Sequence, residues 1–149
     1  MKLLIVSHSY LSKENRKNLK ELARNIDVRV ISPSRMGDSL HRYDLREGKI
    51  EGKGWTIIPK DTKELFERDR VFLIKDLRSS IHNFNPDVLN VEYDIWMPIS
   101  IQSIINSSIF SNCNISFTIK KNTYDTRSKL KYKAKDLLSN ISNIFVDHY

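Results

Sequence analysis

Apolar positions along this chain come in short uninterrupted runs, separated by stretches where they recur at helical spacing. The run LLIV (residues 3–6) has no polar break, the pattern of a strand buried on both faces. Leu19, Leu22, Ala23 and Ile26 then recur every three or four positions. They predict an amphipathic helix with Lys13, Arg16, Lys17, Lys20 and Arg24 mostly on its solvated side. Ser12 is the expected cap, with Glu14 in the first turn. VRVIS (28–32) predicts a second strand ended by Pro33. Over 34–54 the pattern dissolves into Gly, Asp, Arg and Lys, which predicts a long polar loop with a poor hairpin near 49–54. WTIIP (55–59) predicts a further strand.

The remainder follows the same rhythm. Phe66, Leu73, Leu77, Ile81 and Phe84 form an apolar stripe that predicts helix over 61–84, in one piece or two. Asn85-Pro86 stops it, and VLNV (88–91) begins another buried strand. An apolar helix is expected over 96–110, a strand over 115–121, a helix carrying Leu130, Ala134, Leu137, Leu138 and Ile141, and a last strand over 143–147. Strands alternate with helices, so the expected fold is α/β: a Rossmann-like open, mostly parallel sheet with helices on both faces, in three layers. One such domain spans 1–149. A domain that stops on a core strand is expected to be part of a larger protein.

Composition changes this picture little. With 149 residues, 40% of them hydrophobic and 29% charged, the chain is long enough for one well-filled core and too apolar for wholesale disorder. The lone Cys113 forms no internal disulfide, and no cysteine pair has metal-ligand spacing. No run is long enough for a signal-peptide core or a membrane span, so the expectation is a cytoplasmic protein, in which the sequons at Asn106, Asn114 and Asn140 are incidental. The net charge of +7 raises the question of an anionic partner without choosing among nucleic acid, a phosphorylated substrate and a membrane surface. GxGxxG, GxxxxGK[ST], HExxH and GxSxG are all absent, which removes support for a phosphate cradle, a zinc protease site and a hydrolase elbow.

Candidate chemistry gathers at the carboxyl ends of the predicted strands, where ligands bind in an open parallel sheet. The first strand ends in Ser7-His8-Ser9-Tyr10, the strand after Pro86 in Glu92-Tyr93-Asp94, and the strand from Ile115 in Lys120-Lys121-Asn122-Thr123-Tyr124. If the first and fourth of these strands flank the point where strand order reverses, His8 and Glu92 approach one another at the lip of a cleft. A histidine and a carboxylate rimmed by Tyr, Asn and Lys suit a polyhydroxyl ligand, which needs donors, acceptors and an aromatic face. Plainer readings stand beside this one. His8 reads equally well as a polar strand end, and Glu92 and Asp94 as a solvated loop. Trp96 reads better as a core aromatic than as a ligand platform, Phe110, Phe117 and Phe145 as packing, and Cys113 as a bystander thiol. The basic segment 120–135, from Lys120 to Lys135, flanks a helical stripe and reads first as its solvated face. Peripheral contact with an anionic membrane is its best functional rival. No nucleic-acid signature is present, and no nucleic-acid partner is expected.

KLLIVSHSY, ENRKNLKELARN, VRVISPS, NPDVLNVEYDIW and ISFTIKKNTY, in this order and spacing, resemble the N-terminal domain of group 1 glycosyltransferases with the GT-B fold. The likeness is strongest to enzymes of cell-surface polysaccharide and lipopolysaccharide synthesis. The matching positions are Pro86-Asp87, residues 88–91, Glu92 and Asp94, Trp96, and Asn122 with Tyr124. The resemblance implies an acceptor-binding domain that faces a second, donor-binding domain carrying the family's paired glutamates, of which this chain contains nothing. It implies transfer of a hexosyl group from a sugar nucleotide to a glycan or lipid-linked acceptor, with retention of configuration, no metal and no cofactor. His8 and Glu92 become the candidate catalytic pair, with Ser9, Tyr10, Tyr93, Asp94, Lys121, Asn122 and Tyr124 as substrate contacts. The isolated domain is then expected to be inactive, because positioning two substrates needs both walls of the cleft. The chain departs from members that carry a glycine-rich loop after the first strand. The alternative is a stand-alone Rossmann- or flavodoxin-like binding module without catalysis.

Overall fold

Short apolar segments that alternate with helices pair as neighbours in one sheet in the computed structural model. It describes residues 1–38, 41–44, 48–65, 72–110 and 113–118. The expectations placed on Phe66, on 119–149 (the basic segment, Lys121, Asn122, Tyr124 and Phe145 included) and on the Phe110 side chain lie outside the described residues.

In chain order the elements are β1 (Lys2–Val6), α1 (Arg16–Leu22), β2 (Asp27–Pro33), β3 (Arg35–Asp38), β4 (His41–Asp44), β5 (Ile50–Gly52) and β6 (Trp55–Lys60). They continue with β7 (Thr62–Glu64), β8 (Phe72–Ile74), α2 (Leu77–Phe84), β9 (Val88–Val91), α3 (Pro98–Phe110) and β10 (Asn114–Phe117). Six strands form the main sheet in the order β10-β9-β1-β2-β6-β5. All its pairings are parallel except β5 with β6. The chain steps outward from β1 to β2 and β6, then returns to β1's other side with β9 and β10. Strand order therefore reverses between β1 and β9.

Right-handed crossovers in opposite directions put helices on opposite faces. Leu19 of α1 packs with Ile5, Val28, Val30, Trp55 and Ile57 on one face. Leu77, Ile81 and Phe84 of α2 and Ile99 of α3 pack with Leu4, Val6, Leu89 and Val91 on the other. The fold is α/β and Rossmann-like, in three layers.

Several local expectations give way to better hydrogen bonding or packing. Residues 62–64 and 72–74 are not helical: β7 and β8 pair antiparallel. Phe72 and Ile74 are buried while Leu73 between them is less so, a two-residue alternation. The backbone N–H and C=O of Ile74 bond to the Gln102 side chain at 3.0 and 2.9 Å, which closes the strand against α3. Helix begins only at Leu77, after Asp76 at φ 56°. β3 and β4 form an antiparallel pair where an irregular loop was expected. The hairpin near 49–54 is present as β5–β6, turned by Gly54 at φ 78°. Ser12 does not cap α1. The N-cap is Asn15, whose side chain instead donates to the Ser9 carbonyl at 2.7 Å. Leu22 is 41% exposed, while Leu19 is fully buried and the partly buried Ala23 and Ile26 pack against the same cluster. α3 starts at Pro98 rather than at residue 96, with proline in the first turn where its missing N–H costs nothing.

Candidate functional site at the strand-order reversal

Parallel register places the two candidate turns side by side. Val6 of β1 aligns with Val91 of β9, so the next residues, Ser7 and Glu92, leave the sheet as neighbours. The backbone N–H of Glu92 donates to the Val6 carbonyl and that of Ser7 to the Ile31 carbonyl, both at 3.0 Å. Both turns are thus anchored before any side chain contributes.

The Glu92 carboxylate, half-buried, is the centre of the arrangement. Its Oε2 accepts from the Ser7 hydroxyl at 2.7 Å and its Oε1 from the Tyr10 hydroxyl at 2.9 Å. Ser7 is fully buried, and its Oγ accepts in turn from the Ser9 N–H at 3.0 Å. Tyr10 sits on the one-turn helix Ser9–Leu11, packed in the apolar cluster under α1. Tyr93 packs in the cluster on the opposite face, edge-on to Phe72 with ring centres 5.9 Å apart. The carboxylate thus lies between tyrosines that belong to the two cores.

Both phenols are held above their ordinary range. For Tyr10 burial is the main cause, followed by the negative charge and hydrogen bond of Glu92. For Tyr93 burial again leads, with the Glu92 charge adding to it. Both phenols therefore keep their protons at neutral pH, and Tyr10 spends its own on Glu92.

The other candidate residues take more local parts. The half-buried His8 sets its ring against Tyr93, centres 5.2 Å apart at 40°. Ser9 contributes its backbone, through Ser7 and Asn15. The Asp94 carbonyl accepts from the Met97 N–H and the Ser100 hydroxyl, both at 2.9 Å, and so opens α3. Trp96 is only half-buried and belongs to neither apolar cluster. Ser7 stood at the end of the first predicted strand without an assigned role. The available signal was a polar residue at an inward-facing strand end, one position beyond an apolar run.

Arg16, the first residue of α1, donates from Nε to the Tyr10 carbonyl and from a terminal guanidinium nitrogen to the Leu11 carbonyl, both at 3.0 Å. These bonds fix the one-turn helix to α1. Among the described residues, no three His, Cys, Asp or Glu side chains gather as a metal site, and no helix is long and apolar enough to cross a membrane. A hollow lined by Arg78, Ser79, His82 and Asn83 lies on α2. No protein family, curated protein or solved structure matches the chain.

Proposed function

We propose that this chain is the acceptor-side domain of a retaining GT-B glycosyltransferase of cell-surface polysaccharide synthesis, acting in the cytoplasm, with its crevice at the β1–β9 reversal holding a hydroxyl-rich acceptor. The observation that carries the reading is the Glu92 carboxylate, fixed by Ser7 and Tyr10 at the carboxyl edge where ligands bind in such sheets. An anchored carboxylate acceptor suits a polyol, whose hydroxyls donate. A carboxylate in that position repels a nucleotide phosphate, and the turn after β1 has no glycines through which a backbone could approach one. The order of motifs along the chain supports the same assignment. The donor sugar nucleotide would be held by a second domain, and the basic segment 120–135 is the candidate contact with a membrane carrying the acceptor.

The test is direct binding by the 149-residue chain to an array of bacterial-type surface glycans and, separately, to UDP- and GDP-sugars by thermal shift. Retention of glycans with no stabilisation by sugar nucleotides is the expected result. Stabilisation by sugar nucleotides with a blank array would overturn the assignment.

A further inference from the structure

Both oxygens of the Glu92 carboxylate already accept one hydrogen bond from the protein, and each has a second lone-pair direction left. The groups that hold it are themselves fixed. Ser7 is fully buried and bonded to the Ser9 N–H, while Tyr10 is 7% exposed and its ring is packed under α1. The orientation of the carboxylate is therefore set by the protein, and the remaining lone-pair directions of its two oxygens suit a pair of adjacent donors.

Three kinds of ligand present such a donor pair or compete for the position. A guanidinium matches the geometry but is disfavoured by the net charge of +7. A phosphate or carboxylate is anionic at neutral pH and is repelled by Glu92. Two neighbouring hydroxyls of a sugar ring are neutral, donate in parallel and carry no electrostatic penalty. Resting on the acceptor-side reading above, we infer that Glu92 is the fixed acceptor for a vicinal diol of one sugar ring, with Ser7 and Tyr10 as its positioning residues. Specificity at this point is then set by which two hydroxyls the ring presents together.

The experiment is amide chemical-shift titration of the 149-residue chain with methyl glucopyranoside, galactopyranoside and mannopyranoside and their monodeoxy analogues, with UDP and agmatine as the charged probes. At least one parent glycoside is expected to shift the Ser7, Ser9 and Glu92 amides with millimolar affinity. Loss of either hydroxyl of the recognised pair should weaken binding about tenfold. Glu92→Gln should weaken the parent by a similar factor and erase most of the difference between parent and deoxy sugar. Tyr10→Phe should narrow that difference while the amide spectrum stays folded, which a merely structural role would not do. Shifts at these amides with discrimination intact in Glu92→Gln would overturn the inference and leave the acceptor-side reading standing. Glycans retained on the array with no glycoside shifting these amides would also overturn the inference alone. A blank array, or binding of UDP or agmatine in place of sugars, would bring down both.

Discussion

Replacing Ser7 with alanine removes a single oxygen from a fully buried site, so the effect isolates hydrogen bonding from packing. Two bonds are lost: the donation to Glu92 Oε2 at 2.7 Å and the acceptance from the Ser9 N–H at 3.0 Å. A hydrogen bond to a charged group contributes about 1.5–3 kcal/mol, and a neutral one about 1 kcal/mol. Glu92 is half-buried, so water replaces part of what Ser7 gave it, and the first figure falls to about 1 kcal/mol. The expected loss is about 2 kcal/mol, which moves the urea midpoint by about 1 M for a domain of this size. Trp55 and Trp96 supply the fluorescence signal. A double-mutant cycle with Glu92→Gln should return a coupling of about 1 kcal/mol, because the two residues are in contact. A Ser7→Ala loss under about 0.5 kcal/mol, or strict additivity in the cycle, would refute the claim that the two turns are joined through this bond.

Gln102→Leu leaves the Ile74 N–H and C=O without their partner and should cost about 2 kcal/mol, with hydrogen exchange at the Ile74 amide faster by an order of magnitude or more. Gly54→Ala forces a side chain onto φ 78° and brings its Cβ to 2.8 Å from the Ala23 carbonyl oxygen; calorimetry should register a loss of about 1–3 kcal/mol. Tyr10 and Tyr93 ionise later in the folded chain than in the unfolded one, so their contribution is complete below about pH 10 and fades as pH rises beyond it. An ultraviolet titration should find at least two of the six tyrosines ionising only with unfolding, and six that titrate together would contradict this.

The central strands were legible because LLIV is an unbroken apolar run and VRVIS and WTIIP are short β-branched segments bounded by polar residues, glycine or proline. The position of Glu92 beside the first turn was legible for a related reason. Alternation of strands and helices requires the order to reverse somewhere, and the polar strand ends cluster at that point. Residues 62–64 and 72–74 were misread because Leu73, Leu77, Ile81 and Phe84 keep helical spacing across a boundary. The deciding interactions are Phe72 and Ile74 entering the core and Gln102 reaching back from α3, 28 positions along the chain. The β3–β4 pair escaped notice because its sequence has no apolar alternation to read. Ser7's role depends on Glu92, 85 positions away, and only the register of β1 with β9 brings them together.

The most direct test of the account is the site of a bound sugar, measured as intermolecular NOEs between a glycan retained on the array and the isotope-labelled chain. Contacts from sugar ring protons to Tyr10 and to the Glu92 side chain, at the carboxyl edge between β1 and β9, are the predicted result. Contacts confined to another surface, such as the α2 face around Arg78 and His82, would contradict it.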